Sequence, residues 1–199
     1  MKVLPLLAAL ALLTGCSGLL SPSGDPAKLY MLHAPAQVAS GAPQARWQLL
    51  IAAPDAPLDL NNSRIAVAPT PDRIDYYANV SWSDRPPAML QELLLQSFER
   101  SDRIGAVQRQ SGGLKADFIL TCDIQDFQVE SSGTPIAHIG LTARLVRTRD
   151  RTIVASKRFD VSSPAGGDFD GAVAAFDAGL QTILPRIVDW TLSQGAQNQ

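Results

Sequence analysis

Cysteine and histidine are scarce in this 199-residue chain, with two of each. His33 lies in a Pro-rich stretch and His138 in an alternating one. Neither shares a short, fixed spacing with Cys122 or with acids, as a zinc site requires, so no metal is expected. Charged residues make up only 18% and the formal net charge is −2. Nucleic-acid partners call for a basic face, and this composition supplies none overall. The run Ser111-Gly112-Gly113-Leu114-Lys115 lacks the full phosphate loop and precedes a strand. It reads as a turn, and no cofactor is expected. No nucleophile, base and acid stand in a catalytic pattern, so the chain does not read as an enzyme. Long apolar runs are also missing. Val3 to Leu13 falls short of the ~20 residues that span a bilayer as a helix.

What is present begins with that short run. Met1-Lys2 gives a positive start, and Leu13-Thr14-Gly15-Cys16 closes it. A charged start, an apolar stretch and small residues mark a secretory signal over residues 1–15. The cysteine directly after the small residues makes the site similar to the bacterial lipobox. Cys16 is then the lipid-attachment residue, carrying a diacylglycerol on sulfur and an acyl group, such as palmitate, on its amine. One chain anchors marginally and several anchor firmly. With Cys16 so used, Cys122 is alone and forms no internal disulfide. Ser17 stands where an Asp favours retention in the inner membrane. By that sorting rule the resemblance points to the outer membrane, facing the periplasm. Residues 16–27 read as a lipidated tether rich in Ser, Pro and Gly.

The body reads as one globular domain over residues 28–193, with a polar, frayed tail over 194–199. Short strands are expected at Lys28 to Leu32, Trp47 to Ala52, Arg64 to Ala68, Arg73 to Asn79 and Ile104 to Gln108. His33 to Arg46, rich in Ala and Pro, reads as a surface excursion. Longer alternating strands follow at Ala116 to Val129, Ile136 to Thr148 and Thr152 to Val161. The last places Ile153, Ala155, Phe159 and Val161 on one face. Arg85 to Arg100 has Leu90, Leu93, Leu94 and Phe98 at helical spacing, with Ser83 or Asp84 as its cap. A final helix starts at Asp168 or Asp170, runs to about Ser193 and is kinked by Pro185. The fold class expected is α+β: a two-layer sandwich with a mostly antiparallel sheet and two amphipathic helices packed on it.

Two surface features invite a functional reading. Arg144, Arg147, Arg149 and Arg151 cluster on one hairpin, as a solvated turn or as a contact for acidic protein or lipid phosphate. The stretch from Arg73 to Pro86 carries Tyr76, Tyr77, Trp82 and Arg85. Tyr, Trp and Arg are common interface anchors, so these four are the candidate partner-binding residues, on a surface for another protein or for lipid; the alternative is that one tyrosine ring packs in the core and Trp82 covers the helix end.

In order along the chain, the lipobox at Cys16, Lys28-Leu29-Tyr30-Met31-Leu32, Ile74-Asp75-Tyr76-Tyr77 with Trp82, the Leu90/Leu93/Leu94 helix, Phe118-Ile119-Leu120 with Ile124 and Phe127, and the closing Trp190 helix resemble the ABC-type transport auxiliary lipoproteins. That group includes the paraquat-inducible protein C type, and the resemblance covers most of residues 28 to 192. It implies a non-catalytic envelope component. Its partners would be a protein with a mammalian-cell-entry (MCE) domain and an ABC transporter permease and ATPase, which move lipid or other hydrophobic compounds between membranes. Self-association into a ring is left open. The alternative is an assembly or scaffolding lipoprotein of a secretion or cell-wall synthesis machine. A periplasmic lipid carrier is a third reading, and it requires a deep apolar pocket between sheet and helices. The anchor is directly testable. Intact mass of the protein from its native membrane is expected to fit residues 16–199 plus acyl groups. Cys16→Ser is expected to lose that adduct and leave the outer-membrane fraction; retention there would count against the anchor.

Overall fold

The computed structural model describes residues 28–111 and 114–199; the signal, Cys16 and the tether fall outside them. The elements are β1 (Lys28–Tyr30), β2 (Leu49–Ile51), β3 (Arg64–Thr70), β4 (Arg73–Trp82), α1 (Pro86–Glu99), β5 (Val107–Arg109), β6 (Phe118–Glu130), β7 (Ile136–Arg147), β8 (Thr152–Pro164) and α2 (Phe169–Gln197). The α+β reading holds. The sheet, however, is mixed and curled rather than mostly antiparallel. The β6–β7–β8 meander and the β3–β4 pair are antiparallel. β1 on β4, β2 on β5 and both β2 and β3 on β6 are parallel. Alternation reports which residues face the core and is silent on strand direction. Only short turns, as at Asp150, force antiparallel neighbours.

β6 organises the sheet. One of its edges pairs with β7 along the whole strand. The other edge is divided, with Phe118 to Leu120 taking β2 and Gln128 to Glu130 taking β3. Its buried residues change parity, from Phe118, Leu120, Cys122 and Ile124 to Phe127 and Val129. A register shift between Ile124 and Asp126 accounts for this, since a bulge moves later side chains to the opposite face. A second shift, between Leu145 and Val146, turns Ile153 outward, against the expectation that it shares the face of Phe159.

α2 packs on β7 and β8, and α1 packs on β2, β5 and α2. One contiguous core fills the space between helices and sheet. At its centre Trp82 of β4 meets Phe176 of α2 edge-on at 5.2 Å, and Phe127 of β6 stacks tilted on Phe176 at 4.8 Å. Such pairs add about 0.5–1.5 kcal/mol each beyond the area they bury. α1 begins without a side-chain cap, contrary to the expectation at Ser83 or Asp84. Pro86 and Pro87 have no N–H to cap, and Ala88 N–H already donates to Arg85 O at 3.0 Å. At α2 the expected cap is found: Asp168 accepts from Gly171 N–H. Pro185 lies inside α2, and the helix continues to Gln197.

The segment from His33 to Arg46 is a strap held on the helices instead of a loose excursion. Ala34, Val38 and Ala42 enter the core. Asp177 accepts from His33 N–H at 2.8 Å, and Asp189 accepts from Ser40 Oγ at 2.8 Å and Gly41 N–H at 3.0 Å. Arg100 donates to the Ala34 and Pro35 carbonyls. Where the strap ends, Trp47 lies across Gly195, which extends order into the tail that composition alone marks as frayed. A Cβ at Gly195 would stand 2.2 Å from Trp47 Cζ2. Gly195→Ala is therefore expected to push the indole out and lower stability by about 1–3 kcal/mol in urea unfolding. An unchanged midpoint would mean that the indole is free to move.

Candidate functional site

β4 is the least regular strand. Its register against β3 shifts between Arg64↔Ser81 and Ala66↔Tyr76, so the strand bulges between Tyr76 and Ser81. Asn79 sits there at φ 58°, a left-handed conformation that Asn tolerates better than most residues. Tyr76 and Tyr77 consequently go separate ways. The Tyr76 ring lies 3.6 Å under the Arg64 guanidinium, and its hydroxyl donates to Asp59 O at 3.0 Å. Tyr77 meets Phe169 edge-on at 5.0 Å at the start of α2, and burial pushes its phenol above the usual value. Trp82 is 1% exposed, so its ring is out of reach of a docked partner. Its contacts with Phe127 and Phe176 fit the packing alternative for this residue rather than the anchor reading. Arg85 is exposed at the residue that precedes α1. The four residues do not form one patch.

A groove of about 850 Å³ runs between residues 31–36 and α1, beside Ser83 and Asp84. Met89 and Leu93 lie on its apolar side, and Gln96, Arg100 and the Glu92–Arg109 ion pair supply the polar side. Hydrogen bonds from Gln96 and from Arg109 hold the Glu92 carboxyl below its ordinary value. Next to the groove, β1 is the terminal strand of its branch of the sheet, with Leu29 and Met31 about two-thirds exposed. A strand edge that is unpaired among the described residues, beside a mixed apolar and polar groove, is equipped to hold an extended peptide. Composition gave no hint of this groove, because Lys28 to Leu32 and the helix stripe look like ordinary core elements. The exposure of Leu29 and Met31 is the signal, and only the strand order reveals it.

The groups capable of chemistry are elsewhere and already engaged. His138 Nδ1 lies 2.7 Å from Glu130, and Nε2 lies 3.5 Å from Asp160. The fold thus brings His138 to Asp126 and Asp160, a grouping no sequence spacing suggested. Arg158 stands among these acids, 2.9 Å from Asp126 and 2.7 Å from Asp160, and offsets part of their charge. Its hydrogen bond is the main reason that the Asp160 carboxyl lies below its ordinary value. On the arginine-rich hairpin, Arg144 pairs with Asp123 at 2.6 Å and Arg147 with Asp150 at 2.9 Å. Arg149 and Arg151 make no ion pair among the described residues. Cys122 is buried, and burial pushes its thiol up to about 12. No helix among the described residues is long and apolar enough to cross a membrane.

The family model for the ABC-type transport auxiliary lipoprotein component matches residues 30–188. A relative in Bradyrhizobium diazoefficiens, the uncharacterized protein bll6063, is 31% identical over 194 residues. The match takes in 94% of this chain and 49% of that protein, so this chain spans about half the length of the relative. The crystal structure of XCC0632 from Xanthomonas campestris superposes with a TM-score of 0.81 at 32% identity, covering 86% of this chain and 98% of that one. CT253 from Chlamydia trachomatis shares the fold alone, with a TM-score of 0.53 at 11% identity over 76% of this chain and 99% of that one.

The Cys122 environment has a measurable consequence. In the unfolded chain the thiol ionises near its ordinary value of 9.0, while in the folded chain it stays protonated to about 12. Its contribution to stability is complete below pH 9 and is lost as the pH rises from there. Up to about 2 kcal/mol would go by about pH 10.5. Urea unfolding of the wild-type chain is expected to weaken more steeply over this range than that of Cys122→Ala. Equal slopes would show that the thiol ionises in place.

Proposed function

This chain belongs to the ABC-type transport auxiliary lipoprotein component family, and we propose that it is the anchored, non-catalytic member of a system that moves lipid or other hydrophobic compounds between two membranes. Acylation at Cys16 would hold it in the outer membrane, facing the periplasm, as the lipobox and the Ser17 position suggest. The body would dock on an MCE-domain protein, and the permease and ATPase would supply the energy. No phosphate-binding loop was found in the sequence for this chain to do so itself.

The observation that carries the docking role is the groove between residues 31–36 and α1, bordered by β1. Its rim reaches Asp84, next to the exposed Arg85, which supports Arg85 as a contact residue. Tyr76 and Tyr77 are half-buried farther along β4, away from the groove lining, and would contribute less to this contact. A peptide strand added to β1 would gain main-chain hydrogen bonds, with the groove selecting its side chains. A lipid-carrier role finds less support. The space between sheet and helices is filled by Trp82, Phe127, Phe176 and their neighbours.

The test is photocrosslinking in cells from Met31 and Arg85, with Leu58 as an exposed control remote in sequence from the groove. An MCE-domain protein is expected among the products of the first two positions and absent from the third. Recovery of secretion or cell-wall synthesis components instead would move the protein to a different envelope machine.

A further inference from the structure

The face of the sheet turned away from the helices carries a row of apolar side chains that the transport reading does not use. Register places Leu50 opposite Ile119, Ile119 opposite Val146, and Val146 opposite Ile153. These four residues cross four strands, β2, β6, β7 and β8. Leu50 is buried yet stands outside the main core cluster, whereas its neighbours Leu49 and Ile51 belong to it. Ile153 is 55% exposed at the other end of the row. It is there because the register shift after Leu145 turns it out of the core. The other three members of the row, Leu50, Ile119 and Val146, line a groove of about 540 Å³ that Leu114, 48% exposed, borders.

Positive charge lines the groove beside this row. Lys115, Arg149 and Arg151 line the groove, and none makes an ion pair among the described residues. Elsewhere on the same face the cations are matched: Arg144 by Asp123, and Arg158 by Asp126 and Asp160. A chain whose formal net charge is −2 thus concentrates free cations at one end of one face. Branched aliphatic side chains projecting among free Lys and Arg are the pattern of groups that sit at a lipid–water interface. An acidic protein segment would satisfy the cations but would leave the exposure of Ile153 and Leu114 unexplained.

We propose that this end of the sheet is a contact surface for an anionic phospholipid bilayer. Ile153 and Leu114 enter the headgroup region, and Lys115, Arg149 and Arg151 meet phosphates. The contact would set how the body stands relative to the membrane, which an anchor at Cys16 alone would not do. It requires no transport partner and no particular cargo.

The test uses the full acylated chain reconstituted in vesicles, with Ile153→Cys labelled by bimane. Cys122 is buried and Cys16 is expected to be blocked by lipid, so the label reports position 153. On vesicles of phosphatidylcholine with about one-third phosphatidylglycerol, brominated acyl chains are expected to quench the label at least twofold. Pure phosphatidylcholine vesicles and the Arg149→Gln/Arg151→Asn double variant should each abolish most of that quenching. Asn suits position 151, where φ is 58°. A label at Leu58→Cys should stay in water throughout. The proposal falls if position 153 stays in water on anionic vesicles, or if it is quenched equally on neutral ones. It also falls if the label leaves water only when an acidic envelope protein is added. Flotation of Cys16→Ser with the same vesicles separates loss of the anchor from loss of this contact.

Discussion

One strand, β6, bears both halves of the sheet. Its thirteen residues are paired with β7 on one side and divided between β2 and β3 on the other. Because two short strands share that edge at different heights, β1, β3 and β4 lie at one end and β2 and β5 at the other. The bulge after Ile124 lets the strand serve both. It keeps Phe118 to Ile124 under the helices and then returns Phe127 and Val129 to the same core. Gly140 of β7 stands opposite Asp126 at that bulge, where a Cβ would overlap the carboxylate at 2.4 Å. The position thus couples backbone geometry on β6 to a missing side chain on β7.

Much of this was legible in the sequence. Strict alternation located β6, β7 and β8 within a few residues, and the Leu90, Leu93, Leu94 and Phe98 stripe located α1. Asp168 or Asp170 marked the start of α2, and Asp168 is the cap. Strand direction was not legible, because parallel and antiparallel strands bury the same residues. Nor was the order of the strap: Pro- and Ala-rich composition looks loose until Asp177, Asp189 and Arg100, all distant in sequence, supply its hydrogen bonds. The helical tail was missed for a related reason. Its order comes from Trp47, almost the whole chain away, settling on a glycine.

The candidate residues illustrate the same limit. Trp82, Tyr76 and Tyr77 attracted attention as a cluster in one dimension. In three dimensions one is core, one stacks under Arg64 and one meets Phe169. The arginines of the β7–β8 hairpin are also divided, with two paired and two free. The residues left exposed, Leu29, Met31 and Ile153, are unremarkable as letters. Their meaning comes from lying on or just beyond a terminal strand, or on a bulged one. In a chain with little charge, position in the sheet carries more functional information than residue type.

The seating of Trp47 on Gly195 draws the far end of the chain to the end of the sheet where the β7–β8 hairpin turns. Asn198 O accepts from Arg147, and Gln199 shares a hollow with Arg46 and Arg149. Any polypeptide fused after Gln199 would therefore emerge beside these arginines. A purification handle or fluorescent protein attached there, acidic ones above all, would cover the cations it is meant to help study. An insertion at the Leu58 turn would leave them clear.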